Sequence, residues 1–311
     1  MAASLNDAHI VAADLIAVLV AVNAGEPRVL TIQDGRALPS GPFELKHRSL
    51  QSGLRAWVEQ QTHHPLGYVE QLYTFADRDR AKQAAEQRVI SISYLALTRE
   101  QQASGIHDVG WQGWYDYFPW EDQRSGVPEL VAETLEPRLR GWARGAPDRA
   151  ARRDRWQRAS ITFGLEGRNW NEELILQRYE LLYEAGLVPE AGHATAAPPP
   201  IPGRSMEADH RRILATGIAR LRAKIKYRPV VFELMPPTFT LLQLQRSVEG
   251  IAGRLVHKQN FRRLVEQQEL VEETGAMTAA TGGRPAKLFR FRREVLAERA
   301  VAGTKLPIAR T

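Results

Sequence analysis

Residues 240–292 constrain the fold of this 311-residue chain more than any other segment. Thr240 with Gln243 three residues later is a capping-box pattern, in which each side chain accepts the other residue's free backbone N–H at a helix start. The helix it opens places Leu241, Leu244, Val248 and Ile251 on one face, and Gly250 and Gly253 end it with a sharp turn. A second helix is expected over residues 258–268, burying Phe261, Leu264 and Val265. Its opposite face presents Gln259, Arg262, Arg263, Glu266 and Gln267, with Lys258 and Asn260 flanking. Residues 270–275 and 287–292 then read as a hairpin, joined through Gly282-Gly283-Arg284-Pro285, with a return strand that alternates aromatic and basic residues. Helix, turn, helix, hairpin is the order of a winged helix.

Charge indicates what such a module meets. Residues 203–311 carry 21 Lys and Arg against 10 Asp and Glu, a net of +11, whereas residues 1–202 carry 21 against 26, a net of −5. A basic third on a mildly acidic body points to polyanion binding by that third. Arg pairs bidentately with guanine and Asn or Gln with adenine, so the second helix is read as the recognition element for double-stranded DNA. The expected DNA contacts are Thr240, Gln243, Lys258, Gln259, Asn260, Arg262, Arg263, Arg284 and Lys287, with the wing tip near the backbone or minor groove. A helix-hairpin of this kind can also serve as a protein-interaction module.

The N-terminal part has a different texture. Residues 10–22 and 28–33 read as strands, residues 50–61 as a helix with Leu50, Leu54, Trp57 and Val58 on one face, and residues 69–75 and 88–97 as further strands around a charged Asp77-Arg78-Asp79-Arg80 loop. Strands around one amphipathic helix indicate an α+β sandwich. Trp111, Trp114, Tyr115, Tyr117, Phe118 and Trp120 crowd together without a clean period, as a plug over a sheet edge, a subunit interface or a stacking surface for a base. Residues 128–186 are helical by pattern, and residues 194–202 form a stiff proline-rich connection. A long helix over residues 206–226 follows, with Leu214, Ile218, Leu221 and Ile225 as its apolar stripe and Arg211, Arg212, Arg220 and Arg222 on the rest. The chain has no cysteine, which excludes disulfides, thiolate metal sites and thiol nucleophiles. Its longest apolar run is too short to span a bilayer, and its N-terminus lacks the pattern of a signal peptide, so a cytoplasmic protein without a membrane partner is expected.

Within the N-terminal part, the segment from Gly41 to Thr62 resembles the Nudix box, which is built around Glu residues that hold divalent ions on a diphosphate. Aligned on Gly41, His47 stands where the first Glu belongs, Arg55 matches, Ala56 and Gln60 replace two carboxylates, Glu59 survives and Thr62 takes the glycine position. Gln71 to Phe75, the strand at 88–97, the helix start Ala208 to Leu214 and the whole of 238–292 resemble the Nudix-related transcriptional regulators. The run Lys258-Gln259-Asn260-Phe261-Arg262-Arg263, then Glu272-Glu273-Thr274-Gly275 and Gly283-Arg284-Pro285-Ala286, carries the likeness most closely. Residues 121–202 exceed the usual plan and resemble a longer alphaproteobacterial branch of regulators of NAD metabolism.

The resemblance implies a homodimeric repressor of NAD-biosynthesis or salvage genes. Its non-catalytic Nudix-like domain would bind an adenine nucleotide (ADP-ribose, NAD or ATP) as effector, with no required cofactor or metal. The expected fold is α+β: a Nudix-like α/β/α sandwich over residues 1–120, a helical insertion with linker over 121–202, a long helix at 203–230 completing the sensor, a winged helix over 231–296 and a tail at 297–311. No Gly-rich phosphate loop is present, so Lys46, Arg48, Arg55 and Arg88 are the candidates for nucleotide phosphates, and Phe75 or Tyr94 for the base. His63-His64 reads as loop. Two other readings stand beside this one: a hydrolase with atypical ligands, requiring Glu44, Glu59 and Glu70 to converge, and a constitutive DNA-binding protein whose Nudix-like part only dimerises.

Overall fold

A computed structural model describes residues 11–76, 88–100, 108–192, 201–278 and 285–295. The Asp77–Arg80 loop, most of the proline-rich connection, the wing tip with Arg284, the side chain of Arg88 and the 297–311 tail lie outside the described residues.

The sensor is built on a six-stranded sheet of order β4-β5-β1-β2-β6, with β3 on the free flank of β1. The strands are β1 (Val11–Asn23), β2 (Glu26–Thr31), β3 (Ser40–Pro42), β4 (Tyr68–Phe75), β5 (Arg88–Leu97) and β6 (Gly110–Gly113). β1 runs parallel to β5 along ten residues, Val11 to Val20, and is buried on both faces from Leu15 to Ala21, which is why it reads in sequence as an apolar run interrupted only by Asp14. Its odd side chains Leu15, Ala17 and Leu19 meet α1 (Leu50–Thr62) through Leu54 and Val58. Its even side chains Ile16, Val18 and Val20 join the core of α6 (His210–Lys224) through Ile213, Leu214 and Ile218. This is the expected α/β/α sandwich, and α6 is its second helical layer.

The aromatic run has become core. Trp114, Tyr117, Phe118 and Trp120, in and after the short α2 (Trp114–Tyr117), are all fully buried. They share one core with the insertion, whose π turn (Val131–Leu135) runs into α3 (Glu136–Arg144), followed by α4 (Arg149–Phe163) and α5 (Ile175–Glu184). The apolar surface of these segments, which the sequence suggests is in excess of one small sandwich, is therefore consumed within the chain.

The insertion also overturns one sequence expectation. Arg211 and Arg222 are not on a solvated helix face; both are fully buried, because the insertion covers that side of α6. Arg211 donates to the Tyr117 carbonyl and pairs with Glu190 at 3.3 Å. Arg222 reaches Glu121, whose carboxylate also receives Arg178 of α5: Arg178 Nε to Oε1 at 2.5 Å, Nη2 to Oε2 at 2.9 Å, and Arg222 Nη1 to Oε2 at 2.5 Å. All three side chains are fully buried. The remaining guanidinium protons go to the carbonyls of Thr162, Asn171, Glu172 and Ile251. Arg212 is half-buried over the Phe75 ring, and Arg220 is exposed.

The C-terminal module comprises α7 (Leu241–Ala252), α8 (Lys258–Gln267) and the hairpin β7 (Val271–Thr278) and β8 (Ala286–Phe291). Phe239 pairs with Phe289 through both backbone hydrogen bonds, an isolated bridge that ties the segment before α7 to β8, and Phe291 stacks on Phe232 at 4.2 Å. α8 is more exposed than expected. It buries Val265 and half-buries Phe261, but Leu264 is 50% exposed. The helix holds to the module along a narrower stripe than its apolar residues suggested. No helix among the described residues is long and apolar enough to cross a membrane.

Two outcomes are expected. Glu121→Gln leaves two buried guanidinium groups sharing a neutral partner, and the chain should lose about 3–5 kcal/mol in denaturant unfolding; a loss below 1 kcal/mol would show that the triad contributes little. His210 accepts the Leu38 N–H at 2.8 Å through Nδ1, and burial pushes its pKa from the ordinary 6.5 down to about 4. The unfolded chain takes up this proton near 6.5 while the folded chain refuses it until near 4, so the stability contribution is complete above 6.5 and falls as pH drops to 4. The loss is at most roughly 3 kcal/mol. His210→Asn should flatten the slope of unfolding free energy between these pH values; an unchanged slope would assign the acid sensitivity elsewhere.

Candidate nucleic-acid interface and vestigial nucleotide site

α8 is positioned by its ends. His257 caps it, accepting the Asn260 N–H, and the Gly253 turn, left-handed at φ 71°, sets its angle to α7. Lys258, Gln259, Asn260, Arg262, Arg263, Glu266 and Gln267 are all exposed. Among the described residues neither Arg262 nor Arg263 has an ion-pair partner, so both guanidinium forks are available to phosphate or a base edge. Gln243 is exposed on α7, but Thr240 is 3% exposed, with its hydroxyl accepting the Gln243 N–H at 3.1 Å. The expected contact at Thr240 is therefore corrected: its side chain is a helix cap. Lys287 is exposed on β8 and paired with Glu273 at 2.8 Å, as Arg290 is with Glu272 at 2.6 Å, so any phosphate contact there must compete with a carboxylate.

How the module is held to the sensor was not expected from sequence. The last turn of α7 presents carbonyls with no partner within the helix. Gly250 O accepts from the Tyr115 hydroxyl at 2.6 Å, Ile251 O from Arg222 Nε at 2.9 Å and Gly253 O from the Gln123 N–H at 2.7 Å. Each of these three donors belongs to the sensor or its insertion. A Cβ at Gly250 would lie 2.0 Å from the Gly25 carbonyl oxygen, so the helix backbone rests directly on the β1–β2 turn. Arg124 braces the same turn with a bidentate pair to Glu26 at 2.8 and 2.7 Å. The one sequence signal for this joint was a glycine one turn before the helix end, read there only as a terminator.

The Nudix-box segment occupies β3, the following loop and α1. Where the carboxylates would be, it has an aromatic plug. The Trp57 ring lies over Gly41, 2.4 Å from where a Cβ would be, and Trp57 Nε1 donates to the Pro42 carbonyl at 2.9 Å. His47 packs against Trp57 with centroids 6.2 Å apart and against Phe43 at 5.9 Å, and its Nδ1 accepts the Glu44 N–H. Ala56, Glu59 and Gln60 face outward on α1. Glu44 is held by Lys46 at 2.6 Å, and this hydrogen bond keeps its carboxyl below the ordinary range. Glu70 belongs to the other layer, held by Lys224 of α6 and by the Tyr68 hydroxyl at 2.5 Å. The convergence of Glu44, Glu59 and Glu70 that the hydrolase reading requires does not occur. Among the described residues no three His, Asp or Glu side chains gather as a metal site.

The expected effector residues are not brought together either. Phe75 is 4% exposed in the α6-side core and Tyr94 is 2% exposed in the α1-side core, so they lie on opposite faces of the sheet and neither offers a free ring to a base. Arg55 is used as a strut, donating to the carbonyls of Leu66 and Gly67. Lys46 and Arg48 are exposed beside the plug, and Arg88 begins β5. His63-His64 lies in the loop after α1, as the sequence suggests, with His64 buried and its Nε2 3.0 Å from the Thr98 hydroxyl. A cleft of about 260 Å³ opens at the start of α6, but Glu190, Glu207 and Asp209 outnumber Arg36 in its wall.

Residues 231–291 match the family model of the NrtR DNA-binding winged helix domain. An ADPR-responsive transcriptional repressor, NtrR, of Acinetobacter baylyi is 43% identical over 83 residues, which are 27% of this chain and 33% of that protein, so the match spans about a third of the relative's length. NrtR of Shewanella oneidensis in complex with a 27mer DNA has a similar fold, with a TM-score of 0.56 at 19% identity over 91% of this chain and 95% of that one. A MutT/nudix family protein of Enterococcus faecalis is similar at a TM-score of 0.53 and 17% identity, over 93% and 89% of the two chains. Residues 231–291 are thus similar to the NrtR DNA-binding winged helix domain, and the chain as a whole has the fold of a Nudix-like α/β domain followed by a winged helix.

Proposed function

We propose that this chain is a transcriptional repressor that binds double-stranded operator DNA through α8 and whose DNA affinity is lowered by an adenine nucleotide, ADP-ribose foremost, bound by its Nudix-like domain. The observation that carries the reading is the polar and basic face of α8, with Arg262 and Arg263 exposed and without an ion-pair partner among the described residues, on a module fastened by its α7 carbonyls to the sensor. The ADPR-responsive character of the Acinetobacter relative supports the choice of ADP-ribose over NAD or ATP. Genes of NAD biosynthesis or salvage are the proposed targets. One winged helix reads one short half-site, so a homodimer on a two-fold operator is the expected assembly. The separation of Glu44 and Glu59 from Glu70 favours a sensor over a hydrolase.

A gel-shift assay on promoters neighbouring the gene, with and without ADP-ribose, NAD and ATP, tests the reading as a whole; DNA binding indifferent to all three would favour the constitutive alternative. Arg263→Ala should weaken operator binding by about 1–3 kcal/mol, concentrated at one base position, with an unchanged melting temperature. Wild-type affinity in that variant would remove Arg263 from the interface. A nucleotide can act on DNA binding only if it prefers one placement of the winged helix relative to the sensor. Gly250→Val, which pushes α7 off the β1–β2 turn, should therefore retain operator binding and lose its response to nucleotide. By reciprocity, wild-type protein on its operator should bind nucleotide more weakly than free protein, and the variant should bind it equally in both states in calorimetric titration.

A further inference from the structure

Residues 138–158 hold eight arginines, no lysine and two aspartates, while the rest of residues 1–202 carries 13 Lys and Arg against 24 Asp and Glu. This positive island within an acidic body is folded into the corner between α3 and α4, around a cleft of about 490 Å³. Arg140, Arg144, Arg149, Arg152, Arg153 and Trp156 line it. The nearby carboxylates are committed elsewhere. Asp148 caps α4 by accepting the Ala151 N–H at 2.8 Å, Asp154 pairs with Arg158 at 3.6 Å, and Glu166 holds the Trp156 indole N–H at 2.8 Å. Arg140 lies 4.0 Å over the Trp156 ring and is paired with Glu136. Among the described residues, Arg144, Arg149, Arg152 and Arg153 have no carboxylate partner and are exposed. Arg149 with Arg152 and Arg153 are like charges at helical neighbour spacing, an arrangement that weakens the helix unless an anion compensates it.

A cleft of this size suits a small ligand, and a set made of arginine alone suits bidentate oxyanions. We infer that the α3–α4 corner is a binding site for a nucleotide-sized ligand carrying two or more adjacent phosphate groups. The site is separate from the sensor proposed above, and it gives the insertion a ligand of its own.

The test is calorimetric titration of the full chain with tripolyphosphate, ATP and adenosine, repeated with Arg149→Ala/Arg152→Ala/Arg153→Ala. Tripolyphosphate and ATP should bind the wild type and adenosine should not. The triple variant should lose tenfold or more in tripolyphosphate affinity, with an unchanged melting temperature in its absence and an unchanged ADP-ribose effect on operator binding. That last readout separates the failure of this site from the failure of the proposed effector function. Tighter binding of ATP than of tripolyphosphate would assign a nucleotide as the ligand, and equal binding an inorganic polyphosphate. No heat with tripolyphosphate at millimolar concentration, equal affinity in wild type and variant, or a variant defective only in duplex DNA binding would each overturn the assignment.

Discussion

The carboxylate of Glu121, lying between Arg178 and Arg222, is the interaction on which the arrangement of this molecule depends. Three charges without solvent exposure are costly unless geometry and additional hydrogen bonds compensate them. Here nearly every donor is satisfied, and the acceptors come from four separate places: the segment after the aromatic run, the end of α4, the turn before α5 and the end of α7. A network of this kind adds less to net stability than its Coulomb energy implies. What it supplies is register, because only one docking of insertion, α6 and winged helix pairs all of its members.

That role gives the insertion a structural purpose. It buries one side of α6, supplies both Glu121 and Arg178, and so fixes Arg222 where it can cap the α7 carbonyls. A cation at a helix C-terminus is also favoured by the helix dipole. The winged helix is consequently held by backbone groups and by a glycine contact with no spare volume, in addition to the apolar core it shares with the sensor and the insertion. The β1–β2 turn and α6 both touch α7 directly, so a displacement of either reaches the winged helix.

The Nudix-box segment has a strand, a loop and a helix, and aromatic side chains pack between them. The positions of lost carboxylates are His47, Ala56 and Gln60, and the space beside them is filled by Trp57 over Gly41, with His47 against it.

The sequence by itself determined the elements and the module. The capping box at Thr240, the period of α7 and the alternation of β8 are local signals, set by neighbours within a few residues, and the charge on residues 203–311 followed from counting. β1 and β5 were legible as strands from their β-branched runs, but their parallel pairing was not, because no local signal states which strand lies beside which. The tertiary structure decided everything that depends on which faces are covered. Leu264 reads as core by spacing but is exposed because α8 meets its module along a narrow stripe. Arg211 and Arg222 read as solvated but are buried because a distant insertion folds over them. Phe75 and Tyr94 read as candidates for one base but belong to opposite sides of a sheet. Thr240 reads both as a helix cap and as a DNA contact, and its burial within the module leaves it only the cap. Helical and strand periods state which residues share a face, and only the packing of remote segments settles what that face meets.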